Sequence, residues 1–486
     1  MSQNPTLRSR AMRGLFWSLL QNVVGRLMSV LLFILIARFV TPDEFGFAST
    51  AIVVVSFLAL IADFGMGDAL VQRPQLRVGD PDLALYVSLA GSVILAGLLI
   101  AAALPIARIM KAEALAPYLH YAALFCPILV LISFQEALYR RAELFRALAL
   151  RTVFGIFASG VVGLTLALNG WGAWALLGQF STQVVLSALW LWSRSTWRPS
   201  RAPDPAVLRR LLRFGVSLVL LRAIDFVAMR SIDFVILSRH GAASLGLFAV
   251  SMRIDQTLTQ LVQVSVSAVA LSFLSRIASD PQRLARSFLR TVSLCATFGT
   301  PVFLGVAALS PDLVRLALGS RWMGADEIVR PLLIVGGVQC IQFICGSYLI
   351  AMGRPGTLLG LIVAKTLIVV LGLVIVENSD LQETVITYSL LLLCEAPITF
   401  GVMVHRLSLR WSDLASAIIA PCGASILAFV VAEIVRAELT AKVPANLLMV
   451  LIFTIFVTVF FGILFSCALR QFKDNAGFVL SGLRRQ

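Results

Sequence analysis

Histidine is almost missing from this chain, with three residues among 486, and cysteine contributes only seven. His120, His240 and His405 are scattered, and no group of His, Cys and carboxylate side chains stands at metal-ligand spacing, so neither a resident metal nor another cofactor is expected. Cys340 and Cys345 are five residues apart, about 140° round a helix, which excludes both a disulfide and a two-ligand face. No GxxxxGKS/T segment is present, and ATP hydrolysis by a P-loop is excluded with it. Polar stretches long enough to form a catalytic domain are also lacking. Charged residues make up 13% of the chain, about half the share usual in soluble domains.

What fills the sequence is apolar. Hydrophobic residues are 59% of the total and the mean hydropathy is +0.93. Windows of about 17–27 apolar residues recur along the chain, each long enough to cross a hydrocarbon core of ~30 Å. About fourteen are legible: 14–40, 45–66, 83–105, 117–138, 153–170, 173–193, 214–238, 246–272, 291–309, 328–351, 357–376, 383–404, 414–434 and 446–468. They predict an all-α polytopic membrane protein of about 14 transmembrane helices. The first window, at about 27 residues, is too long for the core of a signal peptide and is expected to remain as helix 1. Arginines gather in alternate connections, from Arg8, Arg10 and Arg13 at one end to Arg484 and Arg485 at the other. That side carries about 26 Lys and Arg against about 7 on the opposite side, which makes both termini cytoplasmic. The net charge of +15 is therefore a topology signal and a grip on anionic lipid headgroups, not a nucleic-acid footprint.

The longest inner connection, 194–213, alternates Leu208, Leu211 and Leu212 with Arg209, Arg210 and Arg213, as an amphipathic membrane-surface helix does. It divides the chain into a six-helix bundle at 1–193, this linker, a second six-helix bundle at 214–404, and two extra helices with a cytoplasmic tail at 405–486. A short repeat supports the halves and a pseudo-twofold relation between them. Arg38 precedes Gly46 within Phe45-Gly46-Phe47, and Arg239 precedes Gly246 within Leu245-Gly246-Leu247, each at an outer helix junction. Among the outer connections, 310–327 is the longest. There Ser310-Pro311-Asp312 has the form of a helix start and Gly319 that of a helix stop. Thr41-Pro42-Asp43-Glu44 has the form of a capping box opening helix 2, which removes Asp43 and Glu44 from any catalytic role, and Asp380 to Glu383 is similar. Asp63 shares a face with Ser49 and Ser56 and is expected to be exposed near the inner end of helix 2.

Polar groups on three helices stand out against this background. Helix 7 carries Arg222, Asp225, Arg230 and Asp233 within an arc of about 140°, and each charge at mid-bilayer costs roughly 2.5–3.5 kcal/mol on insertion scales. Helix 1 aligns Ser18, Asn22, Gly25, Arg26 and Ser29 within about 100°, with Gln21 off that face. Helix 8 aligns Arg253, Gln256, Thr257, Gln260, Gln263 and Ser267 within about 120°, with Asp255 opposite. One such group is ordinary helix–helix hydrogen bonding. Six in register point to a hydrated cavity. Arginine cannot be deprotonated and binds phosphate with a planar fork, so Arg26, Arg222, Arg230 and Arg253 are candidates for holding a diphosphate. For Arg222 with Asp225, mutual neutralisation explains the pair as well as function does. Lys365 and Glu395, near the middle of helices 11 and 12, form either a static ion pair or a titratable couple that biases a cycle. Any driving force must come from an H+ or Na+ gradient, the membrane potential, or consumption of product.

Gly14-Leu15-Phe16-Trp17-Ser18, then Ile36-Ala37-Arg38-Phe39-Val40-Thr41-Pro42-Asp43-Glu44-Phe45-Gly46, then Asp63-Phe64-Gly65-Met66-Gly67-Asp68-Ala69-Leu70-Val71-Gln72-Arg73 closely resemble polysaccharide-repeat-unit flippases of the Wzx type. These belong to the multidrug/oligosaccharidyl-lipid/polysaccharide exporter superfamily. Ile232 to Arg239, Leu245-Gly246-Leu247-Phe248 and Arg253 resemble the same family at its helix 7–8 junction. The resemblance implies a V-shaped pair of six-helix bundles with two added helices. It also implies a secondary transporter, not an enzyme, which flips an undecaprenyl-diphosphate-linked oligosaccharide from the inner to the outer leaflet of a bacterial cytoplasmic membrane. Its substrate would be that lipid-linked oligosaccharide, its surroundings the membrane lipids, and its candidate protein partners a polysaccharide polymerase and a chain-length regulator. Four charges on helix 7 exceed the family's pattern and leave room for an acidic or unusual glycan. Two other classes compete: an ion-coupled multidrug exporter, which the cavity arginines disfavour, and a glycan polymerase or ligase, which needs a large outer loop.

Overall fold

The computed structural model describes residues 24–72, 79–199, 205–277, 280–375, 380–440 and 442–484, and at 68–69, 72, 205–222, 225, 228–229, 263–277, 355 and 467–484 the backbone alone. Every regular element among them is helical. In chain order they are α1 (Val24–Ala37), α2 (Pro42–Ala62), α3 (Met66–Gln72), α4 (Asp80–Ile109), α5 (Ala116–Ala123), α6 (Cys126–Arg141), α7 (Phe145–Leu168) and α8 (Ala173–Arg194). They continue with α9 (Pro205–Ile277), α10 (Pro281–Leu294), α11 (Thr300–Ala317), α12 (Ala325–Ala351), α13 (Pro355–Ile375), α14 (Leu381–Arg406), α15 (Trp411–Leu439) and α16 (Ala445–Arg484). Eleven described stretches are long and apolar enough to cross a membrane, and a twelfth is α5 with α6, a pair bent by 44°. The protein is a multi-pass membrane protein.

The described part of each of the fourteen apolar windows is largely helical; 117–138 covers α5 and α6, 291–309 runs from α10 into α11, and α9 merges two windows. Its break is Gly241, at φ 84° and ψ −178°, a backbone conformation that glycine adopts without steric cost. The chain clusters into two compact units, Met1–Ala249 and Val250–Gln486, so the 194–213 connection falls within the first.

In the first unit, α7 lies along α8, α3 and α4 pack on α6, and α2 touches α4, α5, α6 and α8. Glycines on α7 make room for α1. The Leu32 side chain fills the place a Cβ would take at Gly160, 2.2 Å from it, and Ile36 does so at Gly163, 3.1 Å away. Small residues of this kind let apolar helices approach where no hydrophobic effect drives them together. The capping box forms as the sequence predicts. Thr41 N–H donates to Glu44 Oε2 at 2.8 Å, and Glu44 N–H donates to Thr41 Oγ1 at 3.4 Å. The two repeat glycines meet each other's neighbourhoods. A Cβ on Gly46 would stand 2.2 Å from the Ala242 carbonyl oxygen, and one on Gly246 only 1.9 Å from that of Pro42. The repeat is thus a backbone-to-backbone crossing of α2 with the part of α9 after Gly241.

Asp63 departs from its expected exposure. It is buried at the corner between α2 and α3, accepting from Gly67 N–H at 3.3 Å and from Ser133 Oγ at 3.1 Å. The corner turns through Phe64 at φ 47°, whose ring occupies the space beside Gly91.

In the second unit α11 packs on α12, α12 and α13 on α14, and the two C-terminal helices α15 and α16 dock on α11 and on each other. Ala424, Ala428 and Ala432 form a stripe on α15 that admits Phe456 and Phe460 of α16. Ser310-Pro311-Asp312 does not start a helix. Pro311 lies inside α11, and Ser310 Oγ donates back to the Ala307 carbonyl at 2.8 Å. Tertiary charge pairing at Asp312 accounts for the motif instead. Gly319 does end that helix, at φ 90°.

Candidate functional site

Arg26, Arg230 and Asp233 belong to the first unit, and Arg253, Gln256, Gln260, Lys365 and Glu395 to the second. Asn22 lies outside the described residues, and the side chains of Arg222 and Asp225 do also. On α1, Arg26 is half-buried, one residue after Gly25, which rests on Ile156 and Thr152 of α7. Its Nη1 is buried and has no hydrogen-bond partner among the described residues. A buried donor left unpaired costs about 1–3 kcal/mol, more when charged. Such a group persists where an acceptor from outside the chain can take the bond.

On the first arm of α9, Arg230 Nη1 stands 3.1 Å from Asp233 Oδ2, so these two neutralise each other along one helix face. Ile232, Ile236 and Leu237 of the same arm are buried in the core. After Gly241 the second arm turns an accessible polar face outward. Arg253 and Gln260 are exposed and Gln256 is half-buried, while Ser251 and Asp255 are buried. Thr257 returns its hydroxyl to the Arg253 carbonyl at 2.7 Å, which leaves the long side chains as the polar groups of that face.

Glu395 of α14 is not isolated. It accepts from the Gln342 amide of α12 at 2.7 Å and from the Thr399 hydroxyl one turn on. Lys365 sits half-buried on α13, which packs against α14.

Three polar features escape a reading of the sequence. Asp255 is buried with no hydrogen-bond partner for its Oδ1. Its signal, an acid inside an apolar span, is present in the sequence, on the face opposite the Arg253 arc. Gln135 of α6 is fully buried with both amide atoms unpartnered, and one glutamine in an apolar helix gives no signal at all. Last, Arg436 of α15 binds Asp312 of α11 at 2.8 Å and donates to the Ala308 carbonyl at 2.7 Å. Glu433 joins that cluster at 3.8 Å from Arg436 and brings in Arg330 at 3.1 Å. Asp312 and Arg330 lie more than a hundred residues before Glu433 and Arg436 in sequence.

Comparison with known proteins places this architecture. Residues 35–327 match the profile of a family described as "Polysaccharide biosynthesis protein". The succinoglycan biosynthesis transport protein ExoT of Rhizobium meliloti (strain 1021) is 24% identical over 357 residues, 73% of this chain and 72% of its own. The lipopolysaccharide biosynthesis protein WzxC of Escherichia coli (strain K12) is 20% identical over 382 residues, 76% of each chain. In fold, the chain is similar to the lipid II flippase MurJ in an inward closed conformation, with a TM-score of 0.73 at 13% identity over 93% of this chain and 99% of that one. With more than half its length matched to one profile, this chain belongs to the family of polysaccharide biosynthesis proteins.

Proposed function

We propose that the protein is a flippase that carries a polyprenyl-diphosphate-linked oligosaccharide repeat unit from the inner to the outer leaflet of a bacterial cytoplasmic membrane, with both termini cytoplasmic. The observation that carries this reading is the buried, unpartnered Nη1 of Arg26. A permanently charged fork with spare donor capacity suits a phosphate oxygen that arrives with the substrate. Arg253, on the accessible polar face of the second arm of α9, is a further candidate for contact with an anion. The family, the transport and polysaccharide functions named for its relatives, and the flippase fold all support this direction of function.

A drug exporter of the same superfamily would take cationic ligands, and arginines on the accessible helix faces repel them. A polymerase would need catalytic groups on a large outer segment, and the described outer connections are short. The decisive experiment reconstitutes the full chain in proteoliposomes with a fluorescent polyprenyl-diphosphate oligosaccharide. Leaflet exchange that depends on the diphosphate and falls in Arg26→Ala is the expected result. Exchange of equal rate for the same lipid lacking phosphate sinks the reading.

A further inference from the structure

The seam between α7 and α8 ends in a group of aromatic and cationic side chains that the transport reading does not use. The two helices run antiparallel along it, with Gly155 beside Ser187 and Gly163 beside Gln179. At 22 residues α8 is about 33 Å long. Its last residue, Arg194, therefore stands at the level of the lipid headgroups when the helix crosses a hydrocarbon core of ~30 Å. One turn earlier is Trp190, and the Arg194 guanidinium lies 4.1 Å from the centre of its ring. From across the seam the exposed Phe154 of α7 meets the same ring at 5.8 Å.

Donors at this end outnumber the acceptors. Trp190 Nε1 and Arg151 Nε are buried and have no hydrogen-bond partner among the described residues. A buried donor without an acceptor is costly, and an oxygen brought by a ligand relieves it. Glu136 of α6 is already engaged, by Arg151 and by Arg140 at 3.0 Å. Arg198 closes the end of its own helix, donating to the carbonyls of Trp192 at 2.9 Å, Ser195 at 2.7 Å and Trp197 at 2.9 Å. Arg194 is exposed, and no carboxylate pairs with it among the described residues.

Snorkelling alone would send Arg194 away from the ring into water. A guanidinium folded flat on an indole is instead held by the ring face and keeps the N–H groups of its edge for an anion. Deeper along the seam, Phe157 of α7 with Val185 and Leu189 of α8 are exposed and offer an apolar surface to an acyl chain. A cationic fork above an apolar wall fits an amphiphile with a phosphate at its head. A zwitterionic headgroup would bring a cation of its own, and the Glu136 carboxylate that could answer it holds two arginines already. A headgroup of net negative charge is the better match.

We propose that this end of the α7–α8 seam is a binding site for an anionic glycerophospholipid, with the phosphate on Arg194 beside Trp190 and an acyl chain along Phe154, Phe157 and Leu189. The proposal is independent of the transport reading, and its test needs no oligosaccharide.

Native mass spectrometry of the full chain in detergent tests it, with phosphatidylglycerol, phosphatidylcholine and inorganic phosphate as probes. The wild-type protein should retain phosphatidylglycerol in preference to phosphatidylcholine, and Arg194→Gln should weaken that binding about tenfold. Arg410→Gln removes the same charge from an exposed arginine of the second unit and should leave the binding within about twofold. Equal retention of the two lipids, unchanged binding in Arg194→Gln, or equal losses in both variants overturns the proposal. Displacement by inorganic phosphate also overturns it, since the site then takes a free anion. Displacement by equimolar polyprenyl diphosphate makes the occupant the substrate and overturns it too. In nanodiscs, phosphatidylglycerol with brominated acyl chains should quench Trp190 more than brominated phosphatidylcholine does, the Trp190 signal being the difference between wild type and Trp190→Phe. Equal quenching overturns the proposal whether or not Arg194→Gln folds.

Discussion

Arg26 of α1 and Arg436 of α15 are both arginines on apolar helices, and the protein treats them in opposite ways. Arg436 is surrounded by its own fold, with Asp312 at 2.8 Å, the Ala308 carbonyl at 2.7 Å and Glu433 at 3.8 Å. Arg26 keeps a buried Nη1 with no acceptor among the described residues. Since neither can lose its proton, the difference lies in who provides the negative charge. In the second unit α11 and α15 provide it, and the result is a bolt that fixes the C-terminal helices. In the first unit the acceptor has to come from elsewhere. The same contrast separates two carboxylates of α9. Asp233 is held by Arg230 at 3.1 Å, whereas the buried Oδ1 of Asp255 has no hydrogen-bond partner among the described residues.

The largest effect is expected where nothing is left open. Gly246→Leu would drive a side chain into the Pro42 carbonyl, 1.9 Å from its first carbon. The variant should yield no folded protein by size-exclusion in detergent, and a monodisperse product would show that the crossing is not fixed.

Next comes the bolt. Arg436→Ala should lower stability by about 3 kcal/mol, because it leaves the buried Asp312 with only the more exposed Arg315 at 3.7 Å. The double change Arg436→Met with Asp312→Leu should recover most of that loss in thermal unfolding. A single variant as stable as the wild type would erase the distinction between the two arginines.

Arg26→Ala sharpens the contrast from the other side. Stability should hold or rise, since an unpaired buried donor is removed. Leaflet exchange should fall by about ten- to a hundredfold, in line with ~1.5–3 kcal/mol for a hydrogen bond to a charged group. Arg26→Lys should restore only part of it, because a point charge lacks the fork, and Arg253→Lys should likewise restore only part of what Arg253→Ala loses. The smallest effect belongs to Thr41→Ala at the start of α2. It should cost about 1 kcal/mol of stability, the usual worth of an N-cap, and leave transport untouched.

Much of the architecture was legible before any coordinates. Hydrophobic windows located the helices because a membrane demands about twenty apolar residues for each crossing. The capping box at Thr41 and the stop at Gly319 were legible because caps are local, made by residues three or four apart. The Gly46 and Gly246 repeat was visible as a pattern, but its meaning was not, since a close approach of two backbones joins residues two hundred apart. Ser310-Pro311-Asp312 misled for the same reason. Its letters fit a helix start, and a distant Arg436 gives Asp312 its role.

For the candidate site, the sequence identified which residues carry charge and which helix face holds them, through the 3.6-residue period alone. Arg253, Gln256 and Gln260 do lie on the more accessible side of their arm, and Arg230 does pair with Asp233. Periodicity assigns a direction about one helix axis and is silent on what stands opposite. Only tertiary packing decided that Asp255 and the Phe303 ring converge on Gly336, that Gln342 and Thr399 engage Glu395, and that none of the described residues answers the Arg26 Nη1. The sequence by itself determined a polytopic helical membrane protein with charged faces, because burial in lipid acts on each helix separately. Which of those charges are satisfied within the fold was decided by the tertiary structure, because each partner is supplied by another helix.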